Sequence, residues 1–149
     1  AARRRLTDND PLSVFNAADV DSGHGACILA EAPLASLVED VLLYFQGERY
    51  ALSAWCVMPN HVHTVVTPYA DHPLPGILQS WKSFSARRIN RQMHRSGPLW
   101  QRESFDHIVR SPEAFDGFVN YIERNPVAAG LVSHPADWPF SSARYREAL

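Results

Sequence analysis

The sequence predicts a mixed α/β domain of the α+β kind, and three observations carry that prediction. Apolar residues recur every three or four positions in two well-separated stretches, 33–46 and 112–125, the spacing of amphipathic helices. Between them lie two runs rich in β-branched and aromatic residues, 49–57 and 61–67, divided by Pro59-Asn60 in the pattern of a hairpin. The chain has 149 residues, 46% hydrophobic and 20% charged, which suffices for one domain with its own core.

Each element follows from local chemistry. Residues 1–32 are rich in Asp, Ala, Gly and Asn without periodicity and read as irregular; 1–23 form an N-terminal segment apart from a single domain over 24–149. A chain that opens on alanine is compatible with a start further upstream. From Pro33, the apolar series Leu34, Leu37, Val38, Val41, Leu42 and Phe45 predicts a helix with proline in its first turn and Gly47 just past its end. After the hairpin, 68–75 holds three prolines and reads as a loop. A helix over 74–94 is expected to end near Gly97-Pro98, with Ile77, Leu78, Trp81, Phe84 and Ile89 on its apolar arc. A strand is expected over 100–109. Ser111-Pro112-Glu113 supplies a serine cap and an N1 proline for the last long helix, expected to stop by Asn125 because Pro126 disfavours helical backbone before it. A short helical turn around 127–132 and a packing clasp at Trp138-Pro139-Phe140 complete the chain.

Charge and cysteine usage narrow the class. The net charge of −2 conceals an uneven division: 6–48 holds eight acids and no Lys or Arg, whereas 82–110 holds seven bases against two acids. A concentrated basic stretch fits either a phosphate-binding face or a solvated helix flank. Two cysteines, Cys27 and Cys56, without a CxxC pair argue against a disulfide scaffold and a structural zinc site. No run approaches the ~20 apolar residues of a membrane span, and Ala1-Ala2-Arg3-Arg4-Arg5 lacks the apolar core of a secretory signal, so the protein is expected to be soluble and cytoplasmic.

Three places carry candidate chemistry. In Met58-Pro59-Asn60-His61-Val62-His63, strand alternation turns His61 and His63 to one face and Val62 to the other. Such a pair can grip a divalent ion or serve as half-buried sheet histidines. On the last helix, Tyr121 and Asn125 are an (i, i+4) pair at the edge of the stripe formed by Phe115, Phe118, Val119 and Ile122. A phenol can act as nucleophile and a carboxamide oxygen can ligate Mg²⁺ or Mn²⁺; equally, Tyr121 can be a boundary aromatic and Asn125 a helix-ending residue. On the basic helix Arg87, Arg88, Arg91 and Arg95 share an arc of roughly 100°. Trp100 and Arg102 follow, able to stack on or clamp unpaired bases, although Trp100 also suits a core.

Together with Trp81-Lys82-Ser83-Phe84, the run from Gly97 to His107, Tyr121-Ile122-Glu123-Arg124-Asn125-Pro126 with Val127 to Val132, and Asp137-Trp138-Pro139-Phe140-Ser141-Ser142-Ala143, these motifs resemble the REP-associated tyrosine transposases, the single-tyrosine branch of HUH transposases. The resemblance runs from about residue 24 to 146. It implies a ferredoxin-like fold, an antiparallel sheet with helices on one side. It also implies Tyr121 as nucleophile, His61, His63 and Asn125 as ligands of Mg²⁺ or Mn²⁺, and Lys82, Arg87, Arg88, Arg91, Arg95, Trp100 and Arg102 as DNA contacts. The implied activity is cleavage and rejoining of single-stranded, hairpin-bearing DNA through a 5′-phosphotyrosine, by a monomer or a homodimer near the nucleoid. One departure stands out: family members begin with a strand of the Phe-Val-Thr-Phe-Arg type, whereas 1–23 has none and Leu12 to Phe15 is a poor substitute, so the sheet is expected to lack its first strand. A copy that binds hairpins without cutting, and a metal hydrolase of small phosphoesters, are the alternatives.

Overall fold

The computed structural model describes the backbone of residues 15–22 and 27–147 and the side chains of 27–101 and 107–146. Its strands are β1 (Phe15–Ser22), β2 (Tyr50–Val57), β3 (His61–Pro68) and β4 (Trp100–Val109); its helices are α1 (Ala32–Tyr44), α2 (Leu74–Met93), α3 (Pro112–Ala128) and the short α4 (Ala143–Glu147). The sheet order is β2-β3-β1-β4, and every neighbouring pair is antiparallel.

The expected absence of a first strand is therefore wrong. β1 lies centrally, hydrogen-bonded to β3 on one side and β4 on the other, in a register that sets Asp21 opposite His61 and Asp19 opposite His63. Its sequence, FNAADVDS, is poor in β-formers, so it is a strand because two partners flank it rather than through local preference. The rest of the N-terminal segment, 1–14 and 23, lies outside the described residues.

Helices cover both faces, not one as expected. On the first face, Leu34, Val38 and Leu42 of α1 and Ile77, Trp81 and Ile89 of α2 bury Leu52, Trp55, Val57, Val62 and Val66 in a large core. On the second, Ile122 of α3 packs with Ala54, Cys56, Met58 and Val65, flanked by half-buried Phe115, Phe118, Val119 and Trp138. Strand alternation sorts β3 between the faces. In β2 a bulge between Leu52 and Ala54 inserts Ser53 as an extra residue, so that Leu52 and Trp55 both reach the first face.

Two further expectations are corrected. Phe84 is 44% exposed; the buried place in that part of α2 goes to Ser85, whose hydroxyl donates to the Trp81 carbonyl at 2.6 Å and accepts from the Trp100 indole at 2.8 Å. α3 does not stop at Asn125 but runs through Pro126 to Ala128. Proline forfeits only one helical hydrogen bond, and so near the helix end the loss is small. The end is closed by Gly130, at φ 75°: its N–H donates to the Val127 carbonyl at 3.0 Å and the Leu131 N–H to that of Pro126 at 2.9 Å, a Schellman arrangement. The clasp at the C-terminal end is present: Trp138 Nε1 donates to the Val57 carbonyl at 3.0 Å, and Val57 N–H to that of Phe140 at 2.9 Å.

Candidate active site

The hairpin between β2 and β3 is tight, with the Met58 N–H donating to the His61 carbonyl at 2.8 Å, and it delivers His61 and His63 onto the α3 face at the start of β3. Their rings meet edge to face with centroids 4.4 Å apart. His61 Nδ1 lies 2.6 Å from Asn60 Oδ1; with Nδ1–H as donor, the imidazole lone pair sits on Nε2. His63 is 7% exposed and forms the hub of the cluster. Asn125 Nδ2 is 3.3 Å from His63 Nε2, and the Tyr121 ring stands edge-on to His63 at a centroid distance of 5.9 Å. Tyr121 is itself 61% exposed, with its phenol reachable from solvent.

Strand alternation thus supplies two imidazoles, and one helical turn supplies the phenol and the carboxamide. The donor set suits a divalent cation of the Mg²⁺ or Mn²⁺ kind: turning the Asn125 amide over, an exchange of nearly identical groups, presents its oxygen where the NH₂ now meets His63. Among the described residues no three His, Cys, Asp or Glu side chains gather, so a third donor from this cluster is the amide. Cys56, register partner of His63, is no substitute. Burial pushes its thiol up to about 12, and the negative charges of Glu123 and Glu39 add to the shift, so it stays protonated.

The basic helix is elsewhere. α2 packs on the first face of the sheet, with Arg87, Arg88 and Arg91 exposed on it and separated from His63 and Tyr121 by the sheet; Arg95, expected on the same arc, is exposed but lies beyond the helix end, which the left-handed His94 closes. Arg87 lies over the exposed Phe84 ring at 5.6 Å. Lys82 donates to the Gln101 carbonyl at 3.0 Å, and Trp100 is half-buried with its indole N–H on Ser85, so both are engaged within the fold. Arg102 lies in β4, its side chain outside the described residues.

Sequence reasoning missed Glu123, Ser142 and Arg146. Glu123 is 8% exposed, its two carboxylate oxygens share the single Arg146 Nε–H at 2.8 and 2.7 Å, and it accepts from the Ser142 hydroxyl at 2.5 Å. The available signal was its place four residues after Val119, which sets an acid on the margin of the apolar stripe.

A sheet-borne His-x-His pair facing a helix that carries a tyrosine and, one turn on, an asparagine defines a single-tyrosine HUH arrangement. The family model described as "Transposase IS200 like" matches residues 34–125, and the chain belongs to that family. It is similar to the REP-associated tyrosine transposase of Escherichia coli K12 (33% identical over 97 residues, 62% of this chain and 54% of that one) and to one from Haemophilus influenzae Rd (30% over 99 residues, 60% and 56%). The chain's matches thus span about half the length of these curated relatives. Among solved structures, a REP-associated tyrosine transposase bound to a REP hairpin shares the fold with a TM-score of 0.78 at 22% identity, over 99% of this chain and 86% of the other. A transposase from Deinococcus radiodurans shares it at 0.58 and 20% identity, over 80% and 96%.

Proposed function

We propose that this protein cleaves and rejoins single-stranded, hairpin-bearing DNA of the REP type, with Tyr121 as nucleophile. The observation that supports this reading most is the convergence of His61, His63, Asn125 and Tyr121 from two elements distant in sequence. The Tyr121 oxygen attacks the scissile phosphorus; a Tyr–O–P bond forms, the P–O3′ bond breaks, and the departing 3′-oxygen takes up the proton balance as a hydroxyl. The 5′-phosphate stays on Tyr121, and attack by another 3′-hydroxyl reverses the step, so bond energy is conserved without ATP. Mg²⁺ or Mn²⁺, held by His61, His63 and Asn125 when bound, supplies Lewis-acid charge at a non-bridging phosphate oxygen. Exposure of Tyr121 lets a strand approach from solvent, while His63 and Asn125 fix the floor beneath it. Arg87, Arg88, Arg91 and Arg95 hold backbone phosphates of the same DNA from the α2 side, which makes binding salt-dependent. The reading places the protein with chromosomal DNA in the cytoplasm. A binder that does not cut drew its support from a missing first strand, and β1 removes that support.

The test is a labelled REP-type hairpin oligonucleotide with a single-stranded flank, incubated with protein and Mn²⁺. A covalent protein–DNA adduct is expected, absent in Tyr121→Phe, which keeps the wild-type fold because the side chain is exposed. Retention of the oligonucleotide without any adduct supports the binder, and phosphoester turnover that survives Tyr121→Phe supports a hydrolase.

A further inference from the structure

We propose that Glu123 is a positioning residue for the tyrosine helix, acting through Arg146 and Ser142 to fix the rotation of α3 about its axis. α3 is thinly held: of its 17 residues only Ile122, Glu123 and Pro126 are fully buried. One of those three is a carboxylate, and the groups that meet it come from the C-terminal segment. Arg146 Nε bonds both carboxylate oxygens while its Nη2 donates to the carbonyl of Ser53, the bulge residue of β2, at 2.8 Å. Ser142 donates to Glu123 and is itself fastened to β2: its N–H donates to the Trp55 carbonyl at 3.0 Å, and its hydroxyl accepts from the Trp55 N–H at 3.1 Å. The carboxylate therefore ties α3 to the sheet by charge-assisted hydrogen bonds on both of its oxygens.

The place of this tie on the helix gives it a role beyond stability. At 100° per residue Glu123 lies 200° from Tyr121 and 200° from Asn125, so the tyrosine and asparagine occupy one margin of the apolar stripe and Glu123 the other. A stripe of half-buried Phe115, Phe118 and Val119 allows rolling; a tie on its margin, in which the Arg146 Nε–H is shared between both carboxylate oxygens and Ser142 donates to one of them, does not. A roll of about 20° swings a side-chain tip at roughly 6 Å radius through about 2 Å, enough to part Asn125 from His63 and to carry Tyr121 off line. Ser53 is central to the device, since the bulge that inserts it into β2 also exposes the carbonyl that Arg146 reaches.

The inference rests on the transposase reading for its kinetic consequence but not for its structural one, and the test separates them. Arg146→Ala, whose side chain is 49% exposed in the ion pair, should fold. Hydrogen exchange of α3 amides is expected to quicken about tenfold with β2 and β3 unchanged, the Asn125 side-chain amide signal is expected to shift, and single-turnover adduct formation is expected to fall about tenfold with hairpin affinity held within about twofold. The double variant Glu123→Gln/Arg146→Ala, which removes the stranded carboxylate, is expected to regain thermal stability without regaining the rate. Exchange that rises equally in α3 and the sheet, a rate restored along with stability, or a rate unchanged despite a loosened α3 would each overturn the proposal. Should the wild type form no adduct at all, the transposase reading falls, and the exchange pattern and the Asn125 signal decide the positioning claim alone.

Discussion

The two faces of the sheet divide the labour of the molecule. The face under α1 and α2 buries Leu34, Val38, Leu42, Trp55, Ile77, Trp81 and Ile89 in a continuous core, with Tyr50 taking the Trp81 indole N–H at 2.9 Å. The face under α3 has a small core around Ile122 and carries the histidines, the tyrosine and the asparagine. One face holds the larger buried core and the other carries His63, Asn125 and the exposed Tyr121. The lesson is that the helix bearing Tyr121 is held by little apolar area and is fastened by specific polar ties at its margins.

Substitutions on the two faces should therefore separate stability from activity. Trp81→Ala removes a large side chain from the first core together with its bond to Tyr50, and is expected to cost about 3 to 5 kcal/mol by denaturant titration. A loss no larger than that of an α3 variant would erase the proposed division. Ile122→Ala is expected to cost about 2 kcal/mol, at the low end for such a truncation because half-buried neighbours can close in, yet to slow adduct formation more than Trp81→Phe does.

A smaller effect distinguishes the faces as DNA contacts. Arg91→Gln sits across the sheet from the phenol, so it should lower the slope of log affinity against log salt by about one while leaving the single-turnover rate of saturated protein unchanged. A change in rate without a change in slope would move α2 into the reaction centre.

The smallest expected effect concerns Glu39 on α1, buried and accepting from the Trp55 indole at 2.9 Å. Burial raises its pKa above 4.5, opposed by the Trp55 hydrogen bond. The folded chain then holds this proton to higher pH than the unfolded chain, so stability is complete below about pH 4.5 and declines as pH rises through the folded value. Glu39→Gln keeps an acceptor for Trp55 and should match the wild type in acid while exceeding it at neutral pH, as urea midpoints across that range would show. Equal midpoints at neutral pH would mean that burial there is without consequence.

Much of this was legible in the sequence. The hairpin, the three long helices and the strand at 100–109 follow from local spacing and turn chemistry, because α1, β2, β3 and α2 each carry their own periodicity, whereas local spacing left His61, His63, Tyr121 and Asn125 open between site and structural roles and the family resemblance singled them out. β1 was not, since Asp19, Asp21 and Asn16 conceal a strand created by its neighbours. The passage of α3 through Pro126 depended on Gly130 closing the helix by donating its N–H to the Val127 carbonyl three residues back, and the placing of Leu52 and Trp55 on one face depended on a bulge. Glu123 was hidden for a plainer reason: its partners lie 19 and 23 residues away, beyond any local pattern.

The central claim is that two imidazoles and a carboxamide hold one divalent cation beside the phenol of Tyr121. It is tested most directly by pulsed electron paramagnetic resonance of the protein loaded with Mn²⁺ in the absence of DNA. The account predicts nitrogen couplings from two histidines, one lost in His61→Ala and one in His63→Ala, with weaker binding in Asn125→Ala. Mn²⁺ bound with its nitrogen couplings unchanged in both histidine variants would contradict it.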